Sequence, residues 1–197
     1  HNNLGLALQE QGHPQEALAH YQQALALKPN YPEAHNNLGV ILQQQGRRDE
    51  AIAHYQQALT LRPNYPEAHN NLGTALREQK KPDEAVTHYQ QALRLRPNDA
   101  KTHNNLGIVR REQKKPEEAI AHYRQALQIN PDYPEAHNNL AVVLQEQKKY
   151  DDAITHYERA LALNPDYPEA HNNLGTALRE QKKLDDAIAH YQKALQL

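Results

Sequence analysis

Two columns of histidine are the side chains in this sequence that could do chemistry, because imidazole is a common metal ligand and general base. Within each column the residues recur every 34 positions. Equivalent residues of stacked units would lie on the order of 10 Å apart, too far for two imidazoles to share an ion, and neither column has the i, i+4 spacing of a helical zinc site. We therefore expect no metal site, and we expect these histidines to pack at the edges of apolar stripes. The columns are His1, His35, His69, His103, His137 and His171, and His20, His54, His88, His122, His156 and His190.

Two columns of asparagine follow the first histidine column and are the candidate binding residues. An amide both donates and accepts hydrogen bonds, so stacked amides can hold the backbone of an extended peptide with little regard for its sequence. Another interpretation is open, in which the amides only solvate a polar face or bond between neighbouring units. The first column is Asn2, Asn36, Asn70, Asn104, Asn138 and Asn172, and the second is Asn3, Asn37, Asn71, Asn105, Asn139 and Asn173.

These columns belong to a repeat, because the string HNNL recurs at intervals of 34 residues without an insertion. A fixed period of this length indicates one supersecondary unit that is stacked on its neighbours. We predict a single array of six repeats. Their boundaries are 1–31 (truncated at its N-terminal side), 32–65, 66–99, 100–133, 134–167 and 168–197 (truncated at its C-terminal side).

Each repeat is predicted to be a helical hairpin, with helices over 32–45 and 49–61 in the second repeat. On a helical wheel the apolar residues of each helix fall on one arc, which predicts a buried stripe, and both asparagines fall on the opposite arc of the first helix. Pro63 and Pro66 predict that the helix ends between one repeat and the next, and Asn64 is expected to cap the helix that follows. The predicted core residues are Ala34, Leu38, Ile41 and Leu42 in the first helix and Ala51, Ile52, Tyr55, Ala58 and Leu59 in the second.

The composition weighs against several classes of function. The formal net charge of −2 disfavours a basic nucleic-acid binder, and the absence of Cys excludes thiolate metal sites and cysteine nucleophiles. No apolar run approaches the ~20 residues of a membrane span. The chain also has no Ser, no Gly-rich phosphate loop and no local grouping of acid, base and nucleophile. We therefore expect no enzyme activity and no cofactor.

The residue pattern resembles the tetratricopeptide repeat family, in which a bulky residue, Leu-Gly, a bulky residue, Ala, an aromatic residue, Ala and Pro occur at fixed spacing. The resemblance covers the whole chain, although His stands where the family usually has Trp or a bulky apolar residue. It implies an all-α, right-handed superhelical solenoid of antiparallel helix pairs, whose first helices line a concave groove suited to extended peptides. The second asparagine column also resembles the ladder in the repeat domain of O-linked N-acetylglucosamine transferases. In the second repeat the matching residues are His35, Leu38, Gly39, Leu42, Ala51, Tyr55, Ala58 and Pro63.

The predicted groove carries more acidic than basic side chains. Nine glutamates there outnumber Arg77, Lys101, Arg111 and Arg179, which favours a neutral or basic ligand. Family members that grip a C-terminal carboxylate use Lys or Arg at the position held here by the first asparagine, so the resemblance implies no such clamp. Lys101 lies in the only linker without Tyr-Pro-Glu, which marks either a change in groove specificity or neutral drift. The glutamates are Glu10, Glu33, Glu67, Glu78, Glu112, Glu135, Glu146, Glu169 and Glu180.

We predict a non-enzymatic scaffold that binds an extended peptide or partner segment, neutral or basic, in this groove. The alternatives are the substrate-recognition arm of a larger enzyme such as a glycosyltransferase, and an engineered or self-assembling array. No nucleic acid or membrane is expected as a partner, and a cytoplasmic location is favoured. The sequence starts at His1 without an initiator Met or leader and ends inside a predicted helix, so we expect a processed segment. Its uncovered end faces are expected to stack head to tail.

Overall fold

The computed structural model describes residues 1–197 and contains helices and no strand. The chain divides into two compact units, His1–Pro97 and Asn98–Leu197, which we call the first and second unit. The first unit contains α1 (Asn2–Glu10), α2 (Pro14–Leu27), α3 (Pro32–Gln44), α4 (Arg48–Leu61), α5 (Pro66–Glu78) and α6 (Pro82–Leu95). The second unit contains α7 (Ala100–Glu112), α8 (Pro116–Ile129), α9 (Pro134–Glu146), α10 (Tyr150–Leu163), α11 (Pro168–Glu180) and α12 (Leu184–Gln196). Consecutive helices pack in pairs, so the predicted all-α fold of antiparallel helix pairs is confirmed.

The starts of the helices follow the prolines. Seven of the twelve helices begin at a proline, because the first helical position needs no N–H donor and favours a fixed φ. The prediction that Asn64 caps α5 is wrong: since α5 begins at Pro66, the N-cap position falls on Tyr65, which makes no side-chain cap bond. Only α7 has a side-chain cap, in which Asp99 accepts from the backbone N–H of Thr102 at 3.2 Å.

A tyrosine from the second helix lies at the centre of each of the first five pairs. The rings of Tyr21, Tyr55, Tyr89 and Tyr123 each face a glycine of the first helix, and the fifth pair has Ala141 at the equivalent position. A Cβ on Gly39 would lie 2.6 Å from Cε1 of Tyr55, so the missing side chain allows the close approach of the two helices. The tyrosines Tyr21, Tyr55, Tyr89, Tyr123 and Tyr157 are at most 1% exposed.

The predicted apolar stripes form the core. In α3 all four predicted residues, from Ala34 to Leu42, are buried. In α4 the stripe is buried at its small and aromatic positions, and Ile52 and Leu59 are half-buried. The second unit continues the pattern around Leu140, Val143 and Leu174. Seven of the nine core residues that the helical wheel predicted for α3 and α4 are therefore buried, and the other two are half-buried.

The turn within each pair contains a residue of positive φ. Gly12 and Gly46 have φ values of 79° and 76°, and the equivalent residues of the later pairs are lysines with φ of 59° to 63°. This left-handed conformation costs a residue with a side chain ~1–2 kcal/mol and costs glycine nothing. Four pairs therefore hold a strained lysine where two hold glycine. These lysines are Lys80, Lys114, Lys148 and Lys182.

Candidate functional site

The first asparagine column does not line an open surface. Its inner members are 4–6% exposed, and in Asn36, Asn104 and Asn138 the side-chain oxygen accepts a hydrogen bond from an amide of the next pair. Nδ2 of Asn71, for example, donates to Oδ1 of Asn36 at 3.0 Å. The expectation that the whole column faces the groove is therefore wrong for Asn36, Asn104 and Asn138, because the next pair of the same unit packs over these positions. The buried members are Asn36, Asn70, Asn104 and Asn138, whereas Asn2 is half-buried and Asn172 is exposed.

The second asparagine column donates these bonds and keeps part of each amide accessible. Asn3 is exposed, and the other members of the column are half-buried. In the second unit, Oδ1 of Asn139 and Oδ1 of Asn173 accept no hydrogen bond from the protein, so these atoms are left for a ligand or water. The bonds within the units run from Asn37 to Asn2 at 3.2 Å, Asn71 to Asn36 at 3.0 Å, Asn139 to Asn104 at 3.0 Å and Asn173 to Asn138 at 3.2 Å.

A cavity of about 690 Å³ lies beside this ladder in the second unit, and we call it the ladder cavity. Four predicted groove asparagines and one predicted groove arginine line it. Val142 and Leu195 add apolar surface, and Glu169 adds a carboxylate. The cavity thus combines amides, one acid and an apolar wall, which suits a peptide segment better than a small charged molecule. Its lining is Arg111, Asn138, Asn139, Val142, Pro168, Glu169, Asn172, Asn173, Tyr191, Ala194 and Leu195.

Ion pairs neutralise much of the predicted acidic excess. Arg62 pairs with Glu33 and Arg96 pairs with Glu67, and neither arginine was counted in the predicted groove. Burial acts to raise the pKa of Glu33, but its hydrogen bond with Arg62 holds that pKa below the ordinary value. Three more predicted glutamates have arginine partners: Glu78 with Arg48 at 3.3 Å, Glu146 with Arg111 at 3.2 Å and Glu180 with Arg179 at 3.1 Å.

Two unpaired acids of the first helices lie in the second unit. Asn164 occupies the position relative to Glu135 that Arg62 occupies relative to Glu33, so Glu135 has no ion-pair partner. Glu169 also has none and lines the ladder cavity. The predicted site residue Lys101 lies exposed in the first turn of α7, and Arg77 is half-buried in α5. A negative bias therefore remains at the second unit.

The two histidine columns meet inside every helix pair, which sequence reasoning missed. Nδ1 of each first-column histidine lies 2.9–3.3 Å from Nδ1 of the histidine 19 residues later. The constant offset of 19 residues between the two columns is the sequence signal for this contact, whereas the 34-residue spacing within one column gives no sign of it. The rings are buried or half-buried, except that of His1, which is exposed. No group of three or more His, Asp or Glu side chains is placed to hold a metal ion.

Tetratricopeptide repeat models match residues 1–31, 30–98, 65–132 and 132–197, which together span the sequence. The chain belongs to the tetratricopeptide repeat (TPR) family. TPR proteins act as protein-interaction scaffolds. No curated protein matches the sequence, and none of the helices of this TPR chain is long and apolar enough to cross a membrane.

Solved TPR structures are similar over nearly the whole chain. PilF of Pseudomonas aeruginosa is 25% identical, with a TM-score of 0.85 over 95% of this chain and 86% of that one. A chain of the APC/C hetero-tetramer Cut9–Hcn1 is 21% identical, with a TM-score of 0.90 over 98% of this chain and 38% of that one. YrrB, described as a TPR protein with an unusual peptide-binding site, is 20% identical, with a TM-score of 0.67 over 89% and 91% of the two chains. These similarities confirm the TPR solenoid fold.

Proposed function

We propose that this TPR chain is a non-enzymatic scaffold that binds an extended peptide or partner segment along its first helices, with the ladder cavity as the main contact. The observation that carries the proposal is the set of open amide atoms at the cavity. Oδ1 of Asn139 and Oδ1 of Asn173 accept nothing from the protein, and Asn172 is exposed. Backbone N–H groups of an extended peptide supply the missing donors. The peptide-binding site described for YrrB and the resemblance to the transferase asparagine ladder agree with this role.

The same cavity favours a neutral or basic peptide. Glu169 lines it without an arginine partner, and Glu135 is unpaired in the preceding first helix. In the first unit the corresponding carboxylates are held by Arg62 and Arg96. A lysine or arginine side chain of the ligand would therefore gain most beside α11.

The test compares two amide deletions in the same unit. Peptides of twelve residues are selected from a random library against the wild-type chain, and their affinities are measured by calorimetry. Asn172→Ala should weaken binding by roughly 2–12-fold, as expected for one hydrogen bond of ~0.5–1.5 kcal/mol. It should leave the thermal stability unchanged, because the Asn172 side chain bonds to no other side chain.

Gln192→Ala is the matched control, because Gln192 is an exposed amide of α12 that does not line the cavity. It should leave the affinity unchanged. Equal affinities for Asn172→Ala and the wild type, with the peptide still in contact with α11 by NMR, would overturn the role of the amides. Selection of no peptide at all would overturn the peptide-binding function.

A further inference from the structure

The histidine pairs have a geometry that limits how many protons they hold. In the second unit, Nδ1 of His137 on α9 lies 3.0 Å from Nδ1 of His156 on α10. The ring centroids are 5.3 Å apart with an interplanar angle of 33°. That separation is the nitrogen distance plus about one ring radius at each end, so the two nitrogens point straight at each other. A hydrogen bond in this arrangement needs one N–H and one lone pair.

The linker before α9 fixes which ring is the donor. Nε2 of His137 lies 3.0 Å from the carbonyl oxygen of Pro131. Because a carbonyl only accepts, Nε2 of His137 carries the hydrogen, and the neutral ring has its lone pair at Nδ1. His156 must then donate from Nδ1. The bonds run from His156 to His137 to Pro131 and join α10, α9 and the linker.

Protons added to this pair have unequal effects. The first binds Nε2 of His156, which becomes an imidazolium whose Nδ1–H still donates to His137, so every bond survives. The second must bind Nδ1 of His137. It places two N–H groups and two positive charges head to head. The second proton therefore breaks the bond between the helices.

We propose that each histidine pair of this chain is a proton-operated clasp, which stays closed with up to one added proton and opens when the second binds. The same head-on arrangement recurs in all six pairs, with centroid separations of 5.2–5.5 Å. Three other first-column rings also reach a linker carbonyl: His35 to Pro29, His69 to Pro63 and His171 to Pro165, each at 3.0 Å. Opening would free the linkers that precede the first helices. Acid would therefore loosen the array at each helix pair that contains such a clasp.

The surrounding charges do not supply an alternative trigger. Arg159 of α10 and Asp132 of the linker act on His137 with opposite signs, as Asp152 of α10 and Arg124 of α8 do on His156. Burial is the largest cause in both rings and lowers both pKa values, and the charge of His137 lowers the pKa of His156 further. The second proton therefore binds at a pH below the ordinary histidine range.

The test is a titration of the full chain with its histidines labelled with ¹⁵N, observed by NMR. His137 and His156 should bind protons in two steps separated by more than about one pKa unit, as coupled sites do. Backbone signals of Asp132 and Tyr133 should move with the second step and not with the first. In His156→Gln, an amide that donates or accepts but does not titrate faces His137, and His137 should protonate in one step at a higher pH than the second step of the wild type.

His13 provides the control, because it is the one histidine outside the pairs. His13→Gln should leave both steps of the His137 pair unchanged. Titration of His137 and His156 in one common step, or movement of the linker signals with the first proton, would overturn the proposal. These wild-type measurements decide the matter even if His156→Gln does not fold. They are also independent of whether a peptide binds the ladder cavity.

Discussion

Asn71 shows that one amide can serve the fold at its nitrogen while its neighbours in the column offer oxygens to a ligand. Its Nδ2 satisfies the buried Oδ1 of Asn36 at 3.0 Å. We predict that Asn71→Ala lowers the free energy of unfolding by ~1–3 kcal/mol, because a buried acceptor is left without a donor. Urea denaturation measures this loss.

Asn172→Ala is the comparison for that measurement, since Asn172 belongs to the first column but is exposed. It should change the urea midpoint little. If both variants unfold at the wild-type urea concentration, the bonds between the asparagines contribute nothing to stability.

The sequence did not predict the surroundings of residues whose contacts lie on another helix. The helical wheel put Leu38 and Tyr55 in the core correctly, because their burial follows from the face of their own helix. It put Asn36 on the open arc, since a wheel contains no information about the next pair that covers it. His35 and His54 likewise meet only across the turn. Neighbours on one helix were predictable, and partners on another were not.

At the scale of the elements, the turn between paired helices is a point of removable strain. We predict that Lys148→Gly raises the free energy of unfolding by ~0.5–1 kcal/mol. The lysine has a φ of 62°, and the relief of ~1–2 kcal/mol outweighs the entropy that glycine loses on folding. Thermal and urea unfolding of the full chain check the change.

The reverse substitution, from glycine to lysine, is the control for this prediction. Gly46 has a φ of 76° at the equivalent position, so Gly46→Lys should destabilise by a similar amount. A gain from both substitutions, or from neither, would show that the turn conformation is not what limits stability there.

The starts of the helices were predicted better than the side-chain partners of the residues in them. Prolines marked the starts of α3, α5, α9 and α11, because a ring without an N–H fits the first helical position. The cap was assigned one residue too early, at Asn64 instead of Tyr65. The pairing of Glu33 with Arg62, 29 residues later, depends on how two successive pairs pack, so the charge of the candidate groove could not be read from its own helices.

For the whole molecule we predict that stability falls as the pH drops from about 7.5 to 4.5. Seven histidines have a pKa lowered below 6.5, with burial as the first cause in each, and that of His122 is lowered to about 4. The unfolded chain then binds more protons than the folded chain between these pKa values. Stability is therefore complete above the unfolded pKa of ~6.5 and is lost as the pH falls toward the folded values.

Melting temperatures at constant ionic strength test this dependence. A chain with the second-column histidines replaced by Gln should lose much of the slope. A melting temperature that stays constant from pH 7.5 to 4.5 would show that the folded histidines protonate as freely as the unfolded ones.

Two apolar end faces lead us to propose head-to-tail association of the 197-residue chain. Ile188 is 52% exposed, whereas its equivalent Ile154 is 9% exposed beneath the next pair. Leu4 is 50% exposed, whereas Leu38 is 3% exposed. Each end thus presents the surface that an inner pair covers, and a second copy offers the matching one. Association should be weak because its entropy cost is not offset by a linker.

Light scattering over a wide concentration range measures this association. The apparent mass should rise with concentration for the wild type and stay at 22.5 kDa for Ile188→Glu. Gln192→Ala, at an exposed position of the same helix, is the control and should leave the concentration dependence of the wild type unchanged. A constant monomer mass for the wild type would exclude the contact.

The constant period of the contacts also bears on how such a gene can change in length. Asn71 donates to Asn36 in the same way that Asn37 donates to Asn2, at 3.0 and 3.2 Å. If recombination between the near-identical copies removed residues 32–65, α5 would follow α2, and Asn71 would meet Asn2 in place of Asn36. The asparagine donors would still find acceptors of the same type. Gain or loss of a whole copy therefore keeps the type of each asparagine contact, while it lengthens or shortens the ladder of amides by one step.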